Sequence, residues 1–302
     1  IMVGAPVPLV EKLSFGHELV AAYETLAGRL DAPVVALMSP EIGGINSVLP
    51  ISLGARLGLP IVDADAMGRA YPELQLVTLT LFGVSASPFV LADEHGNRLV
   101  IEAVDNLWVE RIARAAVVEF GAICPGVGYA MPGRRLREAA ILGSLSYAEQ
   151  IGRAIREARG GESAIEAVLR ITHGVTLFRG KIVDLDRQTR RGWSLGEATL
   201  ESTGSDRRVR MTISFQNENL VATRNGAIVA TVPDLITILD QESGEAITTE
   251  HLRYGLRVMV IGMPCDPKWR TPDGIALGGP RHFGYDVDFQ PVERLADESN
   301  IA

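Results

Sequence analysis

Residues 59–73 read L-P-I-V-D-A-D-A-M-G-R-A-Y-P-E, and several of their side chains can do chemistry. Asp63, Asp65 and Glu73 are carboxylates able to take a proton from water, and Arg69 offers a guanidinium fork suited to a carboxylate or a ring oxygen. The apolar run 59–62 reads as a buried strand that delivers this charge to a loop. In open α/β sheets ligands sit outside the carboxyl ends of strands, which makes the stretch a candidate site. A plainer use fits the same residues: Asp63 or Asp65 caps the next segment while Arg69 and Glu73 pair on the surface.

A second constellation precedes it. Residues 39–46, S-P-E-I-G-G-I-N, join a short apolar strand at 33–38 to a small-residue helix, and they carry Glu41 and Asn46. The glycines let the backbone approach a ligand, and the helix start could hold an anion; a simple tight turn is the alternative. If strand 59–62 runs parallel to strand 33–38, Glu41 and Asn46 come onto the same rim as Asp63 and Asp65. Far along the chain, residues 265–285 form a Pro- and Gly-rich loop bearing Lys268, Trp269, Arg270, Arg281 and His282. Such a basic, aromatic loop facing an acidic rim would make a polar cleft between domains. Otherwise Trp269, Phe283 and Tyr285 simply pin it down. Q-N-E-N at 216–219, with Asn217 and Glu218, and V-P-D-L-I at 232–236 lie between strands and are hairpin turns or edges of the site.

Composition narrows the function classes. A net charge of -8 argues against a nucleic-acid surface, which needs clustered cations not outnumbered by carboxylates. The basic runs Arg134, Arg135, Arg137 and Arg207, Arg208, Arg210 read as solvated faces. Two cysteines, Cys124 and Cys265, make no disulfide framework, and a buried structural role is expected for Cys124. They point to a reducing, cytoplasmic setting, and the start I-M-V-G-A-P-V-P-L-V-E-K has no signal-peptide pattern. Residues 74–92 lack charge but are interrupted by polar residues, Gly83 and Pro88, so they read as buried core rather than a membrane span. His17, His95, His173, His251 and His282 never fall at zinc spacing. No cofactor is expected, although a divalent metal held by Asp63, Asp65, Glu41 and a distant His stays open. Dinucleotide, phosphate-loop and nucleophile-elbow motifs are absent, and so is any internal repeat.

The elements that must position these residues follow from periodicity. Helices are expected at 17–30 and 106–120, a hairpin at 88–92 and 98–104 around D-E-H-G-N, and further helices over 134–159. Glu110, Arg111 and Arg114 fall on the polar side of the second helix. Gly160, Gly161, Glu162 and Ser163 mark a boundary, after which alternating strands take over. A chain of 302 residues exceeds one ordinary core. The expected organisation is therefore an α/β domain at 1–162, largely a parallel sheet with helices, and a mostly β domain at 163–302.

The runs E-I-G-G-I-N (41–46), the 59–73 stretch, F-Q-N-E-N-L-V-A (215–222), V-P-D-L-I (232–236), Y-G-L-R-V (254–258) and G-P-R-H-F-G-Y-D (279–286) resemble the S-methyl thiohydantoin desulfurase family over nearly the whole chain. The resemblance implies a bacterial hydrolase, often encoded near hydantoinase and oxoprolinase enzymes. Family members usually begin with a glycine-rich segment ahead of the G-A-P at 4–6, which this chain lacks. The implied reaction converts an S-methyl isothiohydantoin to a hydantoin and methanethiol. Asp63 or Asp65 would be the base, with Glu73 beside them; Glu41 and Asn46 would orient the ring; Arg69, Arg281, Lys268, Asn217 and Glu218 would bind the substrate. The partners expected are a small-molecule substrate and a second copy of the chain. Two other readings stay open: a metal-dependent cyclic-amide hydrolase, and an accessory subunit of a hydantoinase or oxoprolinase.

Overall fold

The computed structural model describes residues 1–4, 16–158, 163–190, 193–204 and 209–299. Arg207, Arg208 and the Gly160 to Glu162 part of the expected boundary lie outside them, as do Ala5 and Pro6. The chain divides into two compact units, Ile1–Leu145 and Ser146–Ala302. Among the described residues no helix is long and apolar enough to cross a membrane.

Unit 1 contains, in order, β1 (Met2–Gly4), α1 (His17–Ala27), α2 (Ile45–Leu57), β2 (Ala64–Asp65), α3 (Thr78–Leu81), β3 (Phe89–Ala92), β4 (Arg98–Ile101), α4 (Asn106–Glu119), β5 (Ile123–Val127), α5 (Gly133–Ala139) and β6 (Ile141–Leu142). The uncharged residues 74–92 are thus α3, β3 and the turns between them. The main sheet has the order β1-β5-β3-β4. Alternation along β3 splits its burial between two helices. Phe89 and Leu91 pack against Val109, Ala113 and Val117 of α4, while Val90 and Ala92 pack against Ala22 and Leu26 of α1. Asp105 caps α4 by accepting the Trp108 N–H at 2.8 Å. The β3–β4 hairpin forms where the turn cluster predicts it, with His95 exposed.

The expectation of a largely parallel sheet is overturned. Every pairing in this sheet, β1 with β5, β5 with β3 and β3 with β4, is antiparallel. The two segments expected to pair in parallel, 33–38 and 59–62, meet only at a bridge between Leu37 and Ile61. The ladder cannot extend, because Pro60 has no N–H and the Leu59 N–H is given to Gly54 O at 2.9 Å. The central strand is instead β5, written I-C-P-G-V in a region that reads as loop. A Cβ on Gly126 would lie 2.8 Å from the Phe89 ring, so glycine here serves close packing rather than a turn. Cys124 is buried in this strand.

Unit 2 takes in most of α6 (Ser144–Glu157), then α7 (Ala164–Thr172), β7 (Val175–Arg190), β8 (Trp193–Ser202), β9 (Arg210–Gln216), β10 (Glu218–Arg224), β11 (Ala227–Thr231), β12 (Leu235–Asp240), β13 (Arg257–Met263), α8 (Pro272–Gly278) and α9 (Val292–Ser299). It is mostly β, as the alternation predicts: one antiparallel sheet in the order β11-β10-β9-β8-β7-β13-β12. The V-P-D-L-I run leads into β12, and its Asp234 is fully buried. Arg270 holds that carboxylate through Nε at 3.2 Å and Nη2 at 2.7 Å, and Glu293 binds the same guanidinium. The N–H groups of Cys265 and Val292 donate to Asp234 at 2.9 and 2.8 Å. One carboxylate thereby ties β12, the segment after β13 and the start of α9. Replacing Asp234 with Ala takes from Arg270 its buried partner, leaving it Glu293, and strands two buried donors, and should destabilise unit 2 by about 3–5 kcal/mol in urea unfolding. A loss under about 1 kcal/mol, the scale of a surface pair, would contradict this assignment.

Candidate active site

Two loops of unit 1 run side by side because their backbones bond to each other. Val62 N–H donates to Leu37 O at 2.8 Å, and Ala66 N–H donates to Pro40 O at 3.0 Å. Glu41 and Asp65 therefore come together, although the sheet expected to align them does not exist. On its other side β2 pairs with β6, Asp65 opposite Ile141, which carries Ser144 into the neighbourhood. Thr78 clamps the loop by donating both its N–H, at 2.7 Å, and its hydroxyl, at 3.1 Å, to Ala66 O.

Asp65 is 0 % exposed. Its Oδ2 accepts from the N–H groups of Gly68 at 2.8 Å and Met67 at 3.3 Å, closing a turn in which Gly68 takes φ 64°. Its Oδ1 is buried without a hydrogen bond of good geometry, though Ser144 and the Ile42 N–H lie near enough to favour its charge. Burial dominates, raising the carboxyl to about 6 against the pull of the Gly68 and Met67 amides. Glu41 is partly exposed, and burial raises it too; the Asn46 amide opposes that shift and the Asp65 charge adds to it. Asn46 donates Nδ2–H to Glu41 Oε1, accepts the Met2 N–H on Oδ1 at 2.7 Å, and is steadied through its carbonyl by the Ser39 hydroxyl at 2.8 Å. The result is a buried Asp65 beside a partly exposed Glu41, both raised above the ordinary carboxyl range by burial.

The other expected site residues are placed differently. Asp63 is exposed and accepts the Leu145 N–H at 2.9 Å in the first turn of α6. Arg69 is buried, with its Nε–H given to Ala70 O at 3.1 Å and its guanidinium 4.8 Å from the centre of the Tyr71 ring. Glu73 accepts from Gln75. Four residues belong to unit 2. Asn217, at φ 56°, turns β9 into β10, accepting the Ser194 N–H at 2.8 Å; Glu218 opens β10. Lys268 lies in a 3₁₀ turn, Pro267–Arg270, whose Trp269 is fully buried. Arg281 is exposed and pairs with Asp286 at 2.7 Å and Asp288 at 2.9 Å.

Sequence reasoning missed several supports. Ser144 and the Met67 and Gly68 amides carry no motif. Glu110 reads as the polar side of a helix, yet it is buried, accepting the Leu74 N–H at 3.0 Å and pairing with Arg114 at 2.8 Å. Its i,i+4 spacing with Arg114 was the available signal. Arg114 also reaches Pro72 O and Tyr129 reaches Leu74 O, so the chain beyond Asp65 is fastened at both residues. Among the described residues no group of three or more His, Cys, Asp or Glu is placed to hold a metal ion.

Residues 1–103 match the model of the S-Me-THD-like N-terminal domain, and residues 104–292 that of the S-Me-THD-like C-terminal domain. The chain belongs to the S-methyl thiohydantoin desulfurase-like family. Membership supports a hydrolase-like protein. Among solved structures, a protein from Chromobacterium violaceum is similar, with 25% identity and a TM-score of 0.78 over 96% of this chain and 82% of that one. No curated protein matches. The boundary between the family's two segments is not the boundary between compact units, since β5, from the second segment, sits inside the sheet of unit 1.

The raised carboxyl has a thermodynamic signature. An Asp whose folded pKa exceeds its ordinary value favours the fold below that ordinary value, and this contribution is lost as pH rises through the folded one. With the carboxyl raised from its ordinary 3.8 to about 6, Asp65→Asn should therefore gain up to about 3 kcal/mol of stability at pH 8. At pH 4 the gain should nearly vanish. Urea midpoints at the two pH values read this directly, and equal effects at both would mean that Asp65 is not perturbed.

Proposed function

We propose that the chain hydrolyses an S-methyl isothiohydantoin-type ring, with Glu41 and Asp65 acting as one acid–base pair. The observation that carries this reading is the wholly buried Asp65 beside the partly exposed Glu41, with burial raising both carboxyls and the Asp65 charge raising Glu41 further. Water adds to the ring carbon that bears sulfur and gives its proton to the pair, which must hold at least one ionised carboxylate to accept it. The ring nitrogen takes up the displaced electron pair. The added hydroxyl then yields its proton to that nitrogen and becomes the carbonyl as the carbon–sulfur bond breaks, and the pair returns its proton to methanethiolate, leaving a hydantoin and methanethiol. Glu41 is the partly exposed member and meets the water; Asp65, held by the Gly68 and Met67 amides, sets the proton affinity of the pair. Asn46 fixes the Glu41 carboxylate for this exchange. Asp63 serves the start of α6 rather than the reaction.

Thiol release from an S-methyl isothiohydantoin should rise with pH through a limb near 6. Asp65→Asn and Glu41→Gln should each lower kcat by roughly 10²–10⁴, the usual worth of a positioned acid or base, with the fold intact. Release should also survive a chelator. Loss of release on chelation would turn the carboxylates into metal ligands, and full activity of both variants would overturn the assignment.

A further inference from the structure

Helix α4 is apolar on two opposite faces. Val109, Ala113 and Val117 pack on one side against Phe89 and Leu91 of β3. On the other, Leu107, Trp108, Ile112 and Val118 are exposed, and Val104 continues the strip ahead of the helix. At about 100° per residue the two sets centre half a turn apart. Exposure reaches 89 % at Val104, 46 % at Trp108 and 69 % at Val118. Single apolar side chains on a surface need no explanation, but here they share one strip, and a helix apolar on both sides is normally covered on both.

The polar residues of the strip say what covers it. Arg111 and Glu119 stand on it about two turns apart, with the small, exposed Ala115 midway between them. The Arg111 guanidinium lies 5.1 Å from the centre of the Trp108 ring. Among the described residues neither Arg111 nor Glu119 forms an ion pair within the chain. Turning a second copy of the helix end for end about Ala115 brings each Arg111 to the other copy's Glu119 and sets Ala115 against Ala115, where small side chains let the backbones approach. A parallel arrangement would oppose like charges instead. The strip is therefore complementary to itself under a twofold axis, the symmetry of the commonest protein dimers. An anionic membrane fits it poorly, since the strip carries one charge of each sign and the chain a net charge of -8.

We propose that α4 is a dimerisation surface, docking antiparallel on α4 of a second copy of this chain, with Trp108 as its apolar anchor and the Arg111–Glu119 pairs fixing direction and register. Trp and Arg are the side chains most often found at the energetic centre of an interface. The same helix carries Glu110 and Arg114, whose bonds to Leu74 and Pro72 fasten the chain beyond Asp65. Docking here thus backs the helix that supports the carboxyl loop, and it is independent of the reaction proposed above.

Sedimentation velocity of the full chain across roughly 1–100 µM should show a monomer–dimer equilibrium. Trp108→Glu and Val118→Glu should each raise the dimer dissociation constant roughly tenfold or more. Both side chains are exposed, so circular dichroism and the melting temperature should stay near those of the parent; either folded variant suffices. Arg111→Glu and Glu119→Arg should each weaken the dimer by roughly three- to tenfold, and the two together should restore it. A monomer at every concentration, a dimer unchanged in a folded Trp108 or Val118 variant, or a double charge exchange that fails to restore association would overturn the proposal. A monomer that sediments with anionic phospholipid vesicles, and loses them on Trp108→Glu, would overturn it in favour of a membrane.

Discussion

Keeping two carboxyl groups next to each other where water cannot fully solvate either is expensive, and much of unit 1 is arranged around meeting that cost. Ionising a buried acid loses hydration, and a neighbouring negative charge compounds the loss. For Asp65 the fold answers with amides rather than with a cation: among the described residues no ion pair to Asp65 is formed, while Asn46 and the Ile1 ammonium favour the Glu41 charge. The Gly68 and Met67 N–H groups hold one oxygen, Asn46 holds Glu41, and burial raises the Asp65 carboxyl to about 6. Thr78, β6 and the Glu110–Arg114 pair then fix the loops, so the carboxyls cannot swing outward to become ordinary surface acids.

Unit 2 shows the opposite solution to the same problem. Asp234 is just as buried, yet a guanidinium fork and two backbone amides saturate it, and Glu293 shares the cation. A carboxylate so satisfied has nothing left with which to bind or to accept a proton. Its work is to hold three segments together. Asp65 Oδ1, by contrast, keeps unused capacity next to a partly exposed partner. This difference in satisfaction, not burial, is what distinguishes Asp234 from the carboxylate proposed for the reaction.

The sequence carried the mostly β second unit, the β3–β4 hairpin and α4 plainly, since each rests on local periodicity or turn chemistry. It also carried the juxtaposition of Glu41 with Asp65, because the two short apolar runs do touch in parallel, at Leu37 and Ile61. It did not carry the sheet. β5 is spelled with proline and glycine, and only the bulk of Phe89 explains why Gly126 sits in a strand. The choice between Asp63 and Asp65 was equally hidden: they stand two residues apart, Asp63 just ahead of the short β2 and Asp65 at its end, and long-range bonds decide which is buried. Asp63 goes to the start of α6 and Asp65 turns inward, a division fixed by residues some eighty positions away.

That division also joins the buried carboxyl to an apolar cavity of unit 1. The turn that closes on Asp65 is made by the N–H groups of Met67 and Gly68, and the same Met67 forms part of the apolar wall. One residue thus serves two surroundings: the Met67 amide favours the charged form of Asp65 against burial, while Met67 itself, 1 % exposed, closes the apolar cavity on that side and keeps water from the loop.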